Sequence, residues 1–208
     1  MKGILLAVTL SLAVFYPANA AIITVESGGL SIVDFDDSTA GTQADPWLLE
    51  ESVTSTGLVK WSGGLGGSVP GIAQLAGKFL AITKWNNTGQ AWTSFELELQ
   101  VTPGSPSGEG DGLSFAQGNN LVFTSDIFSN LTRIDDTRDY LNFSGGVVNP
   151  GQAVTFFIAI SDNSGNDPFY LLQTPNKVDR DPEVPEPSTW AMMLGGMGVV
   201  AYRLRSRR

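Results

Sequence analysis

The sequence predicts an all-β domain, an antiparallel two-sheet sandwich of jelly-roll kind, and three observations carry that prediction. Apolar stretches are short and interrupted by clusters of Gly, Pro, Asn and Asp, in a chain of 208 residues that holds 24 Gly and 11 Pro. Residues 95–101 alternate Phe95, Leu97, Leu99 and Val101 with Glu96, Glu98 and Gln100, the period of a strand with one dry and one wet face. Residues 78–85 and 154–161 are apolar at both parities, as strands covered on both sides are. No helical period extends beyond a few turns outside the two ends, and a closed barrel is the alternative architecture.

Taken in order, residues 22–26 and 30–36 read as the first two strands, joined by a hairpin turn at Ser27-Gly28-Gly29. Residues 53–70 are loop-rich and contain the string GGLGG, which predicts a long excursion, with one helical turn over 71–76. No Gly-Lys-Ser/Thr follows these glycines, so the segment is not a phosphate loop. Residues 113–115, 121–123, 140–143 and 169–173 bring the total to nine or ten strands. Residues 162–167 (DNSGND) are turn chemistry and predict a hairpin between the strands on either side. As a calcium loop the string fails, because its Gly is fourth rather than sixth and Gln173 stands where the closing Glu belongs.

Both ends are processing segments. Lys2, the apolar run 4–15 and then Pro17-Ala18-Asn19-Ala20 form the basic, hydrophobic and small-residue regions of a secretory signal helix, with cleavage by signal peptidase expected after Ala20. The other end runs from Val184-Pro185-Glu186-Pro187-Ser188 through the apolar stretch 189–202 to Arg203, Arg205, Arg207 and Arg208. Fourteen residues at 1.5 Å each rise about 21 Å, short of a hydrocarbon core of about 30 Å, so this short transmembrane helix is a poor permanent anchor. The four arginines belong on the cytoplasmic side, which puts everything before Val184 on the outer side of the membrane. The expected organisation is a signal peptide over 1–20, one β domain over 21–184 and a sorting segment over 185–208.

The string VPEPSTWAMMLGGMGVVAYRLRSRR resembles the C-terminal sorting signal of PEP-CTERM proteins. That resemblance implies recognition by an exosortase, a membrane-embedded cysteine transpeptidase-like enzyme that cuts near Pro185-Glu186-Pro187. It also implies a Gram-negative envelope route ending at the outer surface or extracellular matrix, often linked to exopolysaccharide and biofilm. Residues 86–95, 110–115 and 143–151 are similar to a pattern of uncharacterised domains carried by PEP-CTERM proteins. The string Asp111-Gly112-Leu113-Ser114-Phe115 also resembles a strand of legume-type lectins, which makes the expected sandwich lectin-like and carbohydrate binding the alternative function.

Composition limits the chemistry of the domain. The chain has no Cys and no His, so it lacks thiolate and imidazole nucleophiles, imidazole bases and Cys/His zinc sites. Residues 21–184 hold seven basic and twenty acidic side chains, a formal net charge of −13. Such a surface repels phosphate backbones and excludes nucleic acid as a natural partner; neutral sugars or divalent cations suit it better. The enzymatic option left is a two-carboxylate glycoside hydrolase, with Glu96 and Glu98 about 7 Å apart on one strand face. The alternating glutamates of a solvated strand explain the same residues without catalysis, so the domain is expected to be non-enzymatic. Asp34, Asp36 and Asp37 are the candidate calcium ligands. Trp61, beside the glycine-rich excursion, is the candidate surface platform for stacking on a sugar ring.

Overall fold

Two long strands near the start of the domain set its architecture. In the computed structural model, which describes residues 21–108, 110–118, 121–134, 138–164 and 167–176, strand β1 is Ile22–Asp36 and strand β2 is Trp47–Ser62. The signal segment and the sorting segment, with Ala18, Ala20, Pro185, Glu186, Pro187 and the terminal arginines, lie outside the described residues. The remaining strands are β3 (Gly77–Asn86), β4 (Trp92–Thr102), β5 (Ser105–Pro106), β6 (Leu113–Phe115), β7 (Thr124–Ser125), β8 (Asn130–Ile134), β9 (Tyr140–Val148), β10 (Ala153–Asp162) and β11 (Phe169–Pro175). The all-β prediction holds: the described residues contain no helix, and residues 71–76 form bends rather than the expected helical turn.

The strands form one mixed sheet rather than two separate antiparallel ones, in the order β6-β10-β3-β2-β11-β4-β9-β8. The reason lies in β2. One edge of β2 pairs with β1 from Leu48 to Ser62. The other edge pairs with β3 over residues 47–53 and with β11 over residues 57–61. A single strand therefore serves both halves of the sheet and bends between them. β1 bends with it at Ser27-Gly28-Gly29, which is a corner in one strand and not the expected hairpin, because the pieces on both sides pair with β2. Gly28 sits at φ +86°, and a Cβ there would lie 2.2 Å from the Thr56 carbonyl oxygen, so the two bent backbones meet where no side chain fits.

The pair β2–β3 is parallel, which corrects the all-antiparallel expectation. A parallel neighbour requires a crossover of a dozen or more residues. The glycine-rich excursion supplies it, although the excursion starts only at Gly63, because β2 extends through Ser62. Residues 162–167 do not form a hairpin either: β10 pairs with β3, β6 and β7, and β11 pairs with β2 and β4. That connection carries the chain from one half of the sheet to the other.

The sheet is curled on itself. Phe156 of β10 and Phe143 of β9 are five strand steps apart, about 24 Å in a flat sheet, yet their ring centroids are 4.8 Å apart. Phe95 of β4 lies 5.2 Å from the same Phe156 ring. The two halves thus face each other across an aromatic core. The two ends of the strand order also approach: the Arg133 guanidinium on β8 donates to the carbonyl of Phe115 on β6 at 2.6 Å and stands 5.4 Å from the Phe123 ring.

Candidate functional site

β4 is where the sequence reading and the structure differ most. Phe95, Leu97 and Leu99 point into the aromatic core as expected, but the opposite face is not wet. Glu96 is 1% exposed and Glu98 and Gln100 are 4% exposed. Arg138, two residues before the start of β9, lies across them and donates through Nη2 to Glu96 and through Nε to Glu98. Its guanidinium is 4.4 Å from the Tyr140 ring centroid. The Gln100 amide donates to Glu98 at 2.7 Å and accepts from the Gly104 N–H at 2.9 Å. One guanidinium bridges two carboxylates on this face through charge-assisted hydrogen bonds.

A second ionic group stands in the interior. Lys84 of β3, Glu51 of β2 and Gln173 of β11 are all completely buried. The Lys84 ammonium donates to both Glu51 and Gln173, and the Gln173 amide donates to the other Glu51 oxygen at 2.9 Å. Each comes from a different strand, at the place where β2 passes from one partner to the other. Burial holds the Lys84 ammonium below the ordinary lysine pKa, and the charge and hydrogen bond of Glu51 offset part of that.

Two of the sequence-predicted sites are corrected. Trp61 is 1% exposed and stacked 5.8 Å from Phe169, with the edge of Phe35 also against it. It is a core residue, because the strand continues past it and the glycines come after. Asp34, Asp36 and Asp37 do not converge on a calcium site. The Asp34 carboxylate accepts from Phe35 N–H, Asp36 from the backbone and hydroxyl of Ser38, and Asp37 from the Ala21 N–H. Those short-range bonds to Ser38 hold Asp36 below its ordinary carboxylate pKa. Among the described residues no group of three acidic side chains is arranged to hold a metal ion.

The described residues do gather a polar cleft around Asp111-Gly112, the string singled out in the sequence. The Asp111 carboxylate is spent on its own loop, accepting from Leu113 N–H at 2.9 Å and Gly108 N–H at 3.0 Å. Behind it, the buried Ser107 hydroxyl lies within 3.1 Å of Asp111, the Leu113 carbonyl and the Asp139 carboxylate, with one proton to give. In front is a cavity of about 220 Å³ whose lining includes Gln74, Leu113, Asp139, Ser161 and Asn163. Gln74 accepts from Gln117 N–H and Asn163 accepts from Ala76 N–H, both at 3.0 Å, which fixes the two amides through their oxygens and leaves their NH₂ groups for other partners. Gly112, at φ +89°, lets the Ser164 backbone pass within 2.7 Å of where a Cβ would be and so closes one side of the cleft. The lining thus combines a buried carboxylate, side-chain amides and hydroxyls. The Asp-Gly turn marked this loop in the sequence, and Asn163 falls in the 162–167 turn string; Gln74 carried no local signal, since it is brought in from another loop.

Residues 183–208 match the family described as PEP-CTERM protein-sorting motif. The chain carries a PEP-CTERM sorting motif. No curated protein and no solved structure matched the chain. The PEP-CTERM segment starts seven residues after Asn176, the last described residue, and the last strand ends at Pro175. Every described strand therefore precedes the PEP-CTERM motif, and β11 is held on both edges, by β2 and by β4. A cut at the motif removes no strand of this sheet.

Proposed function

We propose that this is an exported surface or extracellular-matrix protein of a Gram-negative envelope, sorted through its PEP-CTERM segment by an exosortase and non-enzymatic in its mature form. The single observation that carries the reading is the match over residues 183–208. The placement of all described strands before that segment supports release of a complete β domain. An acidic, histidine-free and cysteine-free domain suits contact with neutral exopolysaccharide in a biofilm matrix. The test is cell fractionation with intact-mass measurement of the native protein. The expected result is a species lacking residues 1–20 and the C-terminal apolar segment, found outside the inner membrane; Glu186→Ala is expected to leave that segment attached and the protein in that membrane. A full-length wild-type mass in the inner membrane overturns the proposal.

One observation favours a second reading, carbohydrate binding: the polar cleft beside Asp111-Gly112. Binding of the host's purified exopolysaccharide is expected to weaken about tenfold in Asn163→Ala and in Gln74→Ala, through loss of a hydrogen bond in each. Equal binding by wild type and both variants, measured by co-sedimentation, removes the cleft from the account.

A further inference from the structure

Strand β1 has fifteen residues and would span about 50 Å if straight. Its two flanks nevertheless meet: the backbone nitrogen of Ala21, just before the strand, is 3.0 Å from the Asp37 carboxylate, just after it. The corner at Gly28-Gly29 makes this approach possible, since residues 22–28 lie on the half of β2 that pairs with β11 and residues 30–36 on the half that pairs with β3. The contact of the Phe35 edge with the Trp61 ring at 5.8 Å shows the same approach of the two halves. The Ala21–Asp37 contact thus bridges the halves of the curled sheet at the side opposite the corner. Ala21 itself is 8% exposed and belongs to the core cluster.

We infer that removal of the signal segment completes this contact as an ion pair, the new α-ammonium of Ala21 against the carboxylate of Asp37, so that export and final stabilisation are one event. The inference rests on the expected cleavage after Ala20. Hydrolysis breaks the Ala20 C–Ala21 N bond, with hydroxide from water going to the Ala20 carbonyl carbon and its proton to the Ala21 nitrogen, which takes a second proton from solvent at neutral pH. Before the cut Ala21 offers Asp37 one neutral amide N–H. After it, the same nitrogen carries a positive charge and three donors, in a half-buried place where charge-assisted hydrogen bonds are shorter and about twice as strong. An uncut chain must also lead its preceding residues out of a buried position. The same sheet is therefore weaker in the precursor and tighter in the mature protein.

The test uses two forms of the 21–208 chain in mild detergent, one beginning at Ala21 and one with Gly-Ser left in front of it. The Ala21 form is expected to melt about 4 °C higher. Asp37→Asn is expected to erase that difference, by lowering the melting temperature of the Ala21 form and leaving the extended form nearly unchanged. Equal melting of the two wild-type forms, or an equal fall of both on Asp37→Asn, overturns the ion pair. N-terminal sequencing of the exported protein tests the cleavage separately: Ala21 as first residue supports the proposal, and any other first residue overturns its use in the cell while the melting comparison still reports on the contact.

Discussion

Lys84→Met is expected to cost the fold about 3–5 kcal/mol, because it removes the cation from a completely buried carboxylate and leaves Glu51 in an apolar interior with only the Gln173 amide. The methionine stem fills nearly the same volume, so the loss measures charge and hydrogen bonding and not a cavity. Replacing the whole group, Lys84→Met with Glu51→Leu and Gln173→Met, is expected to recover most of that stability, since apolar substitutes for a buried ionic set are often neutral or better. Urea titrations of the three proteins check this, and a triple variant no more stable than the single one would sink the account. The pH dependence has a definite sign. Burial lowers the Lys84 pKa in the folded chain, so in the alkaline range just below the ordinary lysine value the unfolded chain holds this proton more tightly. Stability contributed by this group therefore rises with pH across that range. Wild type should therefore widen its lead over Lys84→Met as pH rises across that range.

Phe156→Ala is expected to cost about 3–5 kcal/mol, equivalent to a fall in melting temperature of about 10 °C. Its ring is fully buried and contacts Phe95, Phe128 and Phe143, with centroids 5.2, 6.0 and 4.8 Å away, so it joins β10 to β4 and β9 across the interior. The neighbouring Phe157 points outward and is 44% exposed. Phe157→Ala is expected to change stability by less than about 1 kcal/mol. Thermal melts of the two variants read the curl of the sheet directly. If they fall equally, residues 156 and 157 do not lie on opposite faces of a curled sheet.

Much of the strand content was legible, because strand formation follows a two-residue period that ten residues suffice to show. β3, β4 and β10 all fall where the apolar patterns placed them. The long excursion after β2 was legible too, from its glycines. What it does was not: it makes β3 parallel to β2, and no local pattern distinguishes a crossover from an idle loop. The cleft was half legible. Asp111-Gly112 announced a turn, whereas Gln74, Asp139 and Asn163 meet there only after folding.

The PEP-CTERM motif and the all-β class are properties of contiguous residues: Pro-Glu-Pro followed by a short apolar stretch and arginines for the one, short apolar and alternating stretches for the other. Each depends on neighbours within about twenty positions, and so the sequence by itself determines them. Whether a polar strand face meets water is a different kind of fact. Glu96 and Glu98 look solvated until Arg138, forty or more positions away, lies across them. Glu51 becomes a buried partner only because Gln173 arrives from 122 residues downstream. Trp61 enters the core because β2 bends and carries both halves of the sheet. Only the tertiary structure decides these, because burial is set by what packs on a face, and the residues that pack there are far off in the chain.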